Sequence, residues 1–102
     1  MRQVMVRYRV RPDRARENEQ LVEAVYEELR ASDPPGLSYA TFKLDDGLSF
    51  VHVAETAEEN PLVSLESFRS FQAGLPERCE APPVVSELTT VGSYRMFGEA
   101  LR

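Results

Sequence analysis

Leu37-Ser38-Tyr39-Ala40-Thr41-Phe42-Lys43-Leu44 leads through Asp45-Asp46-Gly47 into Leu48-Ser49-Phe50-Val51-His52-Val53-Ala54-Glu55, and this stretch decides the fold. Both runs carry the period-two alternation of β-strands. An Asp-Gly pair between two such runs is a strong hairpin signal, because glycine tolerates the positive φ that a tight turn needs. With Asp46-Gly47 as a two-residue loop, Thr41 falls opposite His52, Lys43 opposite Phe50 and Tyr39 opposite Ala54. On the other face Phe42 meets Val51 and Ala40 meets Val53. One face is smoothly apolar. The other mixes aromatic rings, a hydroxyl, an imidazole and an ammonium group.

Upstream, Met1 to Val10 alternates as well, with Val4, Val6, Tyr8 and Val10 on one side and Met5, Arg7 and Arg9 on the other. Arg11-Pro12-Asp13 ends this strand, since proline has no amide hydrogen for a ladder. Leu21, Val22, Val25, Tyr26 and Leu29 then recur at helical spacing up to about Ala31, flanked by Glu17, Glu19, Glu23, Glu27 and Glu28 as a solvated face. Pro34-Pro35-Gly36 stops that helix. Downstream of the hairpin, Thr56 to Pro61 is a polar loop. Leu65, Phe68, Phe71, Gln72 and Leu75 mark a second helix, interrupted at Gly74 and Pro76. Val84 to Tyr94 alternates as a last strand, and Tyr94, Met96, Phe97 and Leu101 leave an apolar tail.

The order is β-α-β-β-α-β, the split βαβ or ferredoxin-like α+β arrangement. Right-handed crossovers place both helices on one face of a four-stranded antiparallel sheet. The other face keeps apolar positions, which argues for a homodimer with two sheets stacked face to face and the tail clasping the partner.

A chain of 102 residues is a single domain, 1–102, and its 42% hydrophobic and 28% charged residues are a globular composition. No apolar run approaches the ~20 residues of a membrane span, and Met1-Arg2-Gln3-Val4 opens no signal peptide, so a cytoplasmic protein is expected. Net charge is −5, yet residues 1–16 carry +5 and the rest −10. An acidic whole argues against nucleic acid. The lone Cys79 allows no internal disulfide and reads as a structural thiol. One histidine makes a metal site improbable, and no glycine-rich phosphate loop or nucleophile turn occurs; no metal, nucleotide or flavin cofactor is expected.

Val4-Met5-Val6-Arg7-Tyr8-Arg9-Val10-Arg11-Pro12 opening into a Glu-rich helix resembles the start of antibiotic biosynthesis monooxygenase-like domains, the dimeric α/β-barrel group. Pro34-Pro35-Gly36-Leu37 and Pro61 followed by Phe68 and Phe71 extend the likeness over nearly the whole chain. The resemblance implies a homodimer and, for the enzymes of the family, cofactor-independent oxygenation of small aromatic or polyketide-like compounds, or haem degradation. The chain departs from the catalytic branches in having no Trp, no His between Leu62 and Phe71, and no Asn on its first strand. The family likeness favours a cofactor-independent monooxygenase-like protein acting on a small aromatic or polyketide-like compound, while the missing Trp and helix His favour the alternative of a non-catalytic small-ligand-binding or accessory dimer.

His52, the single histidine, is the candidate catalytic residue, a general base toward a phenolic substrate. Thr41 opposite it and Tyr39 diagonal to it would orient the imidazole. Tyr8, Tyr39, Phe42, Phe50, Phe68 and Phe71 are the aromatics available for an apolar pocket, although they do not all share one face of the sheet. Arg7 would favour a phenolate, although a cross-strand pair with Glu87 competes for it. The competing reading places His52 in a dimer interface, satisfied by a hydroxyl or water.

Overall fold

The computed structural model describes residues 1–96. Four strands, β1 (Arg2–Arg9), β2 (Leu37–Lys43), β3 (Ser49–Thr56) and β4 (Val84–Leu88), form one antiparallel sheet in the order β2-β3-β1-β4. Three helices, α1 (Ala15–Ser32), α2 (Glu66–Ala73) and the single turn α3 (Leu75–Arg78), pack on one face of it. This is the expected ferredoxin-like α+β architecture.

The hairpin pairs in the expected register, with Thr41 opposite His52, Phe42 opposite Val51 and Tyr39 opposite Ala54. Its loop differs. The ladder closes one pair earlier, where the Leu44 amide donates to the Ser49 carbonyl at 2.8 Å. The reason is Asp46, whose carboxylate accepts from the Leu48 amide, the Ser49 amide and the Ser49 hydroxyl, holding a four-residue loop. Gly47, at φ +74°, supplies the left-handed residue that this loop needs. Both loop lengths give the same cross-strand partners, so the difference leaves every face assignment intact.

β4 ends at Leu88 and not at Tyr94. Leu88 pairs with Gln3, and β1 begins only one residue earlier, so no partner remains for a longer strand. The chain then turns back toward the sheet face opposite the helices, where the Thr90 hydroxyl bonds the Gln3 side chain at 2.7 Å. Phe97 and Leu101, expected in the apolar tail, lie outside the described residues.

α1 ends where Asp33 adopts a left-handed conformation and its amide caps back onto the Leu29 carbonyl. Glu28, expected on a solvated face, accepts from the Ser67 amide at 2.9 Å and from the Ser67 hydroxyl, and so ties α1 to the first turn of α2. Beyond β1, the chain meets the end of α3: the Arg11 amide donates to the Arg78 carbonyl at 2.8 Å and the Glu80 amide to the Arg9 carbonyl at 3.0 Å. These bonds pin Arg78 beside the sheet. The core between sheet and helices holds Tyr8, Val10, Val22, Val25, Phe50, Phe68, Phe71 and their neighbours.

Candidate functional site

The helix-covered face of the sheet is the mixed one. Alternation along β1 sends Val4, Val6 and Tyr8 beneath the helices, and the register then sends Phe50, His52 and Ala54 of β3 and Tyr39 and Thr41 of β2 the same way. His52 is therefore 5% exposed within a single chain, against the reading that placed it in a subunit interface. Burial is tolerated because its polar neighbours satisfy one another.

Both imidazole nitrogens are engaged. Nε2 lies 2.8 Å from the Tyr8 hydroxyl, and Nδ1 lies 2.6 Å from the Tyr39 hydroxyl and 3.1 Å from that of Thr41. Thr41 is bonded in turn to the Tyr26 hydroxyl at 2.8 Å. On the far side, the Asn18 amide donates to the Tyr8 oxygen at 2.9 Å, and the Arg78 guanidinium donates to Asn18 at 3.0 Å and to the Phe71 carbonyl at 2.9 Å. Asn18 and Arg78 are 0% and 1% exposed. Burial lowers the His52 pKa to about 4, so the ring is neutral at pH 7. Burial likewise drives the Tyr8 and Tyr39 hydroxyls far above the ordinary tyrosine range.

Beside this chain lies a cavity of about 320 Å³ between the sheet and α2. Val4, Val6, Leu62, Phe68, Phe71 and Leu75 give it apolar walls, and His52, Tyr8 and Tyr39 present the polar groups of its interior. Exposed Arg2, Glu58, Asn60 and Gln72 stand at its rim. An apolar pocket with a few convergent polar groups is the usual form of a small-molecule site.

Of the residues singled out from sequence, His52 and Tyr39 come together on the cavity. Thr41 does not line it and touches the Nδ1 atom of His52 from behind. Phe50 is buried against the Tyr8 ring, with centroids 5.6 Å apart, and packs the core instead of the pocket. Arg7 lies out of reach on the opposite face, because it is one residue out of step with Tyr8. Its expected partner Glu87 pairs with Arg2 at 2.9 Å, since both project from the helix side. Tyr8, Phe68 and Phe71, among the aromatics available for a pocket, do line the cavity, whereas Asn18 and Arg78 were not read as site residues. The inward alternation of Tyr8 was visible, but Asn18 and Arg78 are 60 residues apart and look like ordinary polar helix positions.

Among the described residues no cluster of three or more His, Cys, Asp or Glu could hold a metal ion, and no helix is long and apolar enough to cross a membrane. No family model matches the chain, and no curated protein matches its sequence. Solved structures do. A crystal structure of an antibiotic biosynthesis monooxygenase superposes with a TM-score of 0.72 at 18% identity, covering 90% of this chain and all of that one. Rv0793 from Mycobacterium tuberculosis gives 0.71 at 22% identity, covering 90% of this chain and 96% of its own. A variant of SnoaB, a cofactor-independent oxygenase from Streptomyces nogalater, gives 0.65 at 13% identity, covering 90% of this chain and 94% of its own. The chain thus has the antibiotic biosynthesis monooxygenase fold.

Proposed function

We propose that this chain is a cofactor-independent monooxygenase-like protein that takes a small aromatic hydroxy compound into the cavity beneath α2. The observation that carries this reading is the cavity itself, apolar on its walls and polar only where His52, Tyr39 and Tyr8 meet it. Its volume of about 320 Å³ lies at the small end of ligand cavities, which run from roughly 300 to 1,000 Å³. One or two fused rings fit such a space; an extended polycycle does not. The aromatic rings of Phe68 and Phe71 suit a flat ligand, and the Tyr39–His52 pair suits a ring-bound oxygen.

The reaction that fits such a ligand draws all its electrons from the substrate. A dihydroxynaphthalene that takes one atom of O2 onto a ring carbon, and gives up the other as water, ends as a hydroxynaphthoquinone. The protein would bind the arene, fix its oxygen against Tyr39 and His52, and exclude bulk water. It would work as a homodimer through the uncovered sheet face.

A second reading, a non-catalytic carrier or sensor of the same class of compound, is favoured by one observation. With a pKa of about 4, His52 is a poor acceptor for the proton of a phenol. Oxygen uptake by purified protein with dihydroxynaphthalenes, set against the spontaneous rate, separates the two. Accelerated uptake that is lost in Tyr39→Phe supports the oxygenase. Saturable binding without accelerated uptake supports the carrier, and absence of binding overturns both.

A further inference from the structure

Arg78 stands at the closed end of a run of hydrogen bonds that passes through Asn18, Tyr8 and His52 to the cavity. A guanidinium only donates, so the Asn18 oxygen must face Nε of Arg78, 3.0 Å away. The Asn18 NH2 group is thereby turned toward Tyr8, whose oxygen accepts at 2.9 Å. Of the two groups bonded to the Tyr8 hydroxyl, only Nε2 of His52, 2.8 Å away, can take its hydrogen, and it does so when it is bare. A neutral imidazole with a bare Nε2 carries its proton on Nδ1. That N–H donates to the Tyr39 oxygen at 2.6 Å, with Thr41 as a longer second acceptor at 3.1 Å. Tyr39 keeps its own hydrogen for the cavity that it lines.

Arg78 is also the only charged member of this chain of groups. It is 1% exposed, and among the described residues no carboxylate lies within ion-pair distance of it. Its guanidinium stands 5.3 Å from the centroid of the Phe71 ring, which itself lines the cavity. A buried cation with no carboxylate in contact favours an anion placed within its field. The other titratable groups near the chain are Tyr26, behind Thr41, Cys79, next to Arg78, and the exposed Glu17–Arg14 pair at the start of α1, whose opposite charges both reach Arg78. At the rim, Arg2 and Glu58 carry opposite charges.

We propose that Arg78 and Asn18 are positioning residues that lock His52 in its Nδ1–H form and so make the Tyr39 hydroxyl a donor aimed into the cavity, where it receives the ionised oxygen of an arene in preference to the neutral hydroxyl. The ligand half of this assignment rests on the reading of the cavity as an arene site; the hydrogen-bond direction does not.

His52 is the single histidine, so nitrogen-detected NMR of labelled protein at pH 8 reports one imidazole without assignment. The expected spectrum has the proton on Nδ1. Asn18→Asp offers only acceptors; it takes the Tyr8 hydrogen, leaves Nε2 to donate to the Tyr8 oxygen, and should move the proton to Nε2. Para-nitrophenol, whose ionised and neutral forms differ in colour, then reads the cavity. Wild type should bind the phenolate form preferentially, and Asn18→Asp should lower that preference about tenfold, the equivalent of one charge-assisted hydrogen bond. A wild-type proton on Nε2, or a folded Asn18→Asp with an unchanged spectrum, overturns the locking role while leaving the arene site standing. Preference for the neutral phenol overturns the ligand assignment. Failure of either form to bind overturns it together with the proposed function, whatever the spectrum shows.

Discussion

Three hydroxyl oxygens surround the His52 imidazole within 3.1 Å, those of Tyr8, Tyr39 and Thr41. Hydroxyls can serve a neutral ring at both nitrogens, but they offer no carboxylate to a protonated one, and burial removes water as a substitute. The pKa accordingly falls from 6.5 to about 4, with desolvation as the cause. The sign of the resulting pH dependence follows from linkage. Between those two values the unfolded chain binds a proton that the folded chain refuses, so stability is full above pH 6.5 and is lost as pH falls toward 4. Denaturant unfolding should show a loss of about 2 kcal/mol between pH 8 and pH 5. His52→Gln should flatten that slope, because no other side chain has an unperturbed pKa in the window. An equal slope in the variant would mean that His52 is not the group responsible. The carboxylates held low by hydrogen bonds, Asp46 at about 2 among them, act only at more acidic pH.

At the scale of elements, the joint between α2 and α3 is where local preference and packing disagree. Gly74 has φ −98°, a conformation open to any residue, and replacing such a glycine by alanine ordinarily stabilises by about 0.4–1 kcal/mol. Here an added Cβ would stand 2.8 Å from Nη1 of Arg78. That atom ends a flexible side chain, but the guanidinium is buried and tied to both Asn18 and Phe71. Packing should win. Gly74→Ala is expected to cost about 1–3 kcal/mol, read as a fall in melting temperature, and to disturb the His52 imidazole spectrum as Arg78 shifts. A melting temperature at or above that of the parent would show that the guanidinium moves aside freely. The hairpin is the opposite case, an element legible in full from sequence. Two alternating runs and Asp-Gly fixed every cross-strand pair, and even the longer loop built by Asp46 preserved them. What alternation cannot say is which face the helices take. Both faces of β2 and β3 carry large apolar residues, Phe42 and Val51 on one and Tyr39 and Phe50 on the other. The choice rests on contacts distant in sequence, such as Phe71 on His52 and Asn18 on Tyr8, and these have no local signature. For the same reason the site was half legible: its polar centre lies on the hairpin, while its backing lies on two helices.

For the molecule as a whole, the face left uncovered by the helices sets the next question. Met5, Val51, Val53, Val84 and Leu88 project there together with Arg7 and Arg9. The segment after β4 adds Val91, fully exposed, and Met96 beside the same face. A single chain leaves all of this apolar surface in contact with water, and a contiguous patch of that kind usually marks an interface. A second copy is the occupant we propose, because a two-fold axis sets the same face against itself and stacked sheets pack about 10 Å apart. The cavity lies on the other side of the sheet, so its walls do not depend on the pairing. Val53→Lys places an ammonium in the middle row of the uncovered face, level with Met5 and Ala40, without touching the core beneath the helices. Light scattering should give a dimer mass for the parent and a monomer mass for the variant. The melting temperature of the parent should rise with protein concentration, by mass action, while that of the variant should not. A monomeric parent would refute the pairing outright. A variant that stays dimeric would move the interface to another surface, away from the sheet and its arginines.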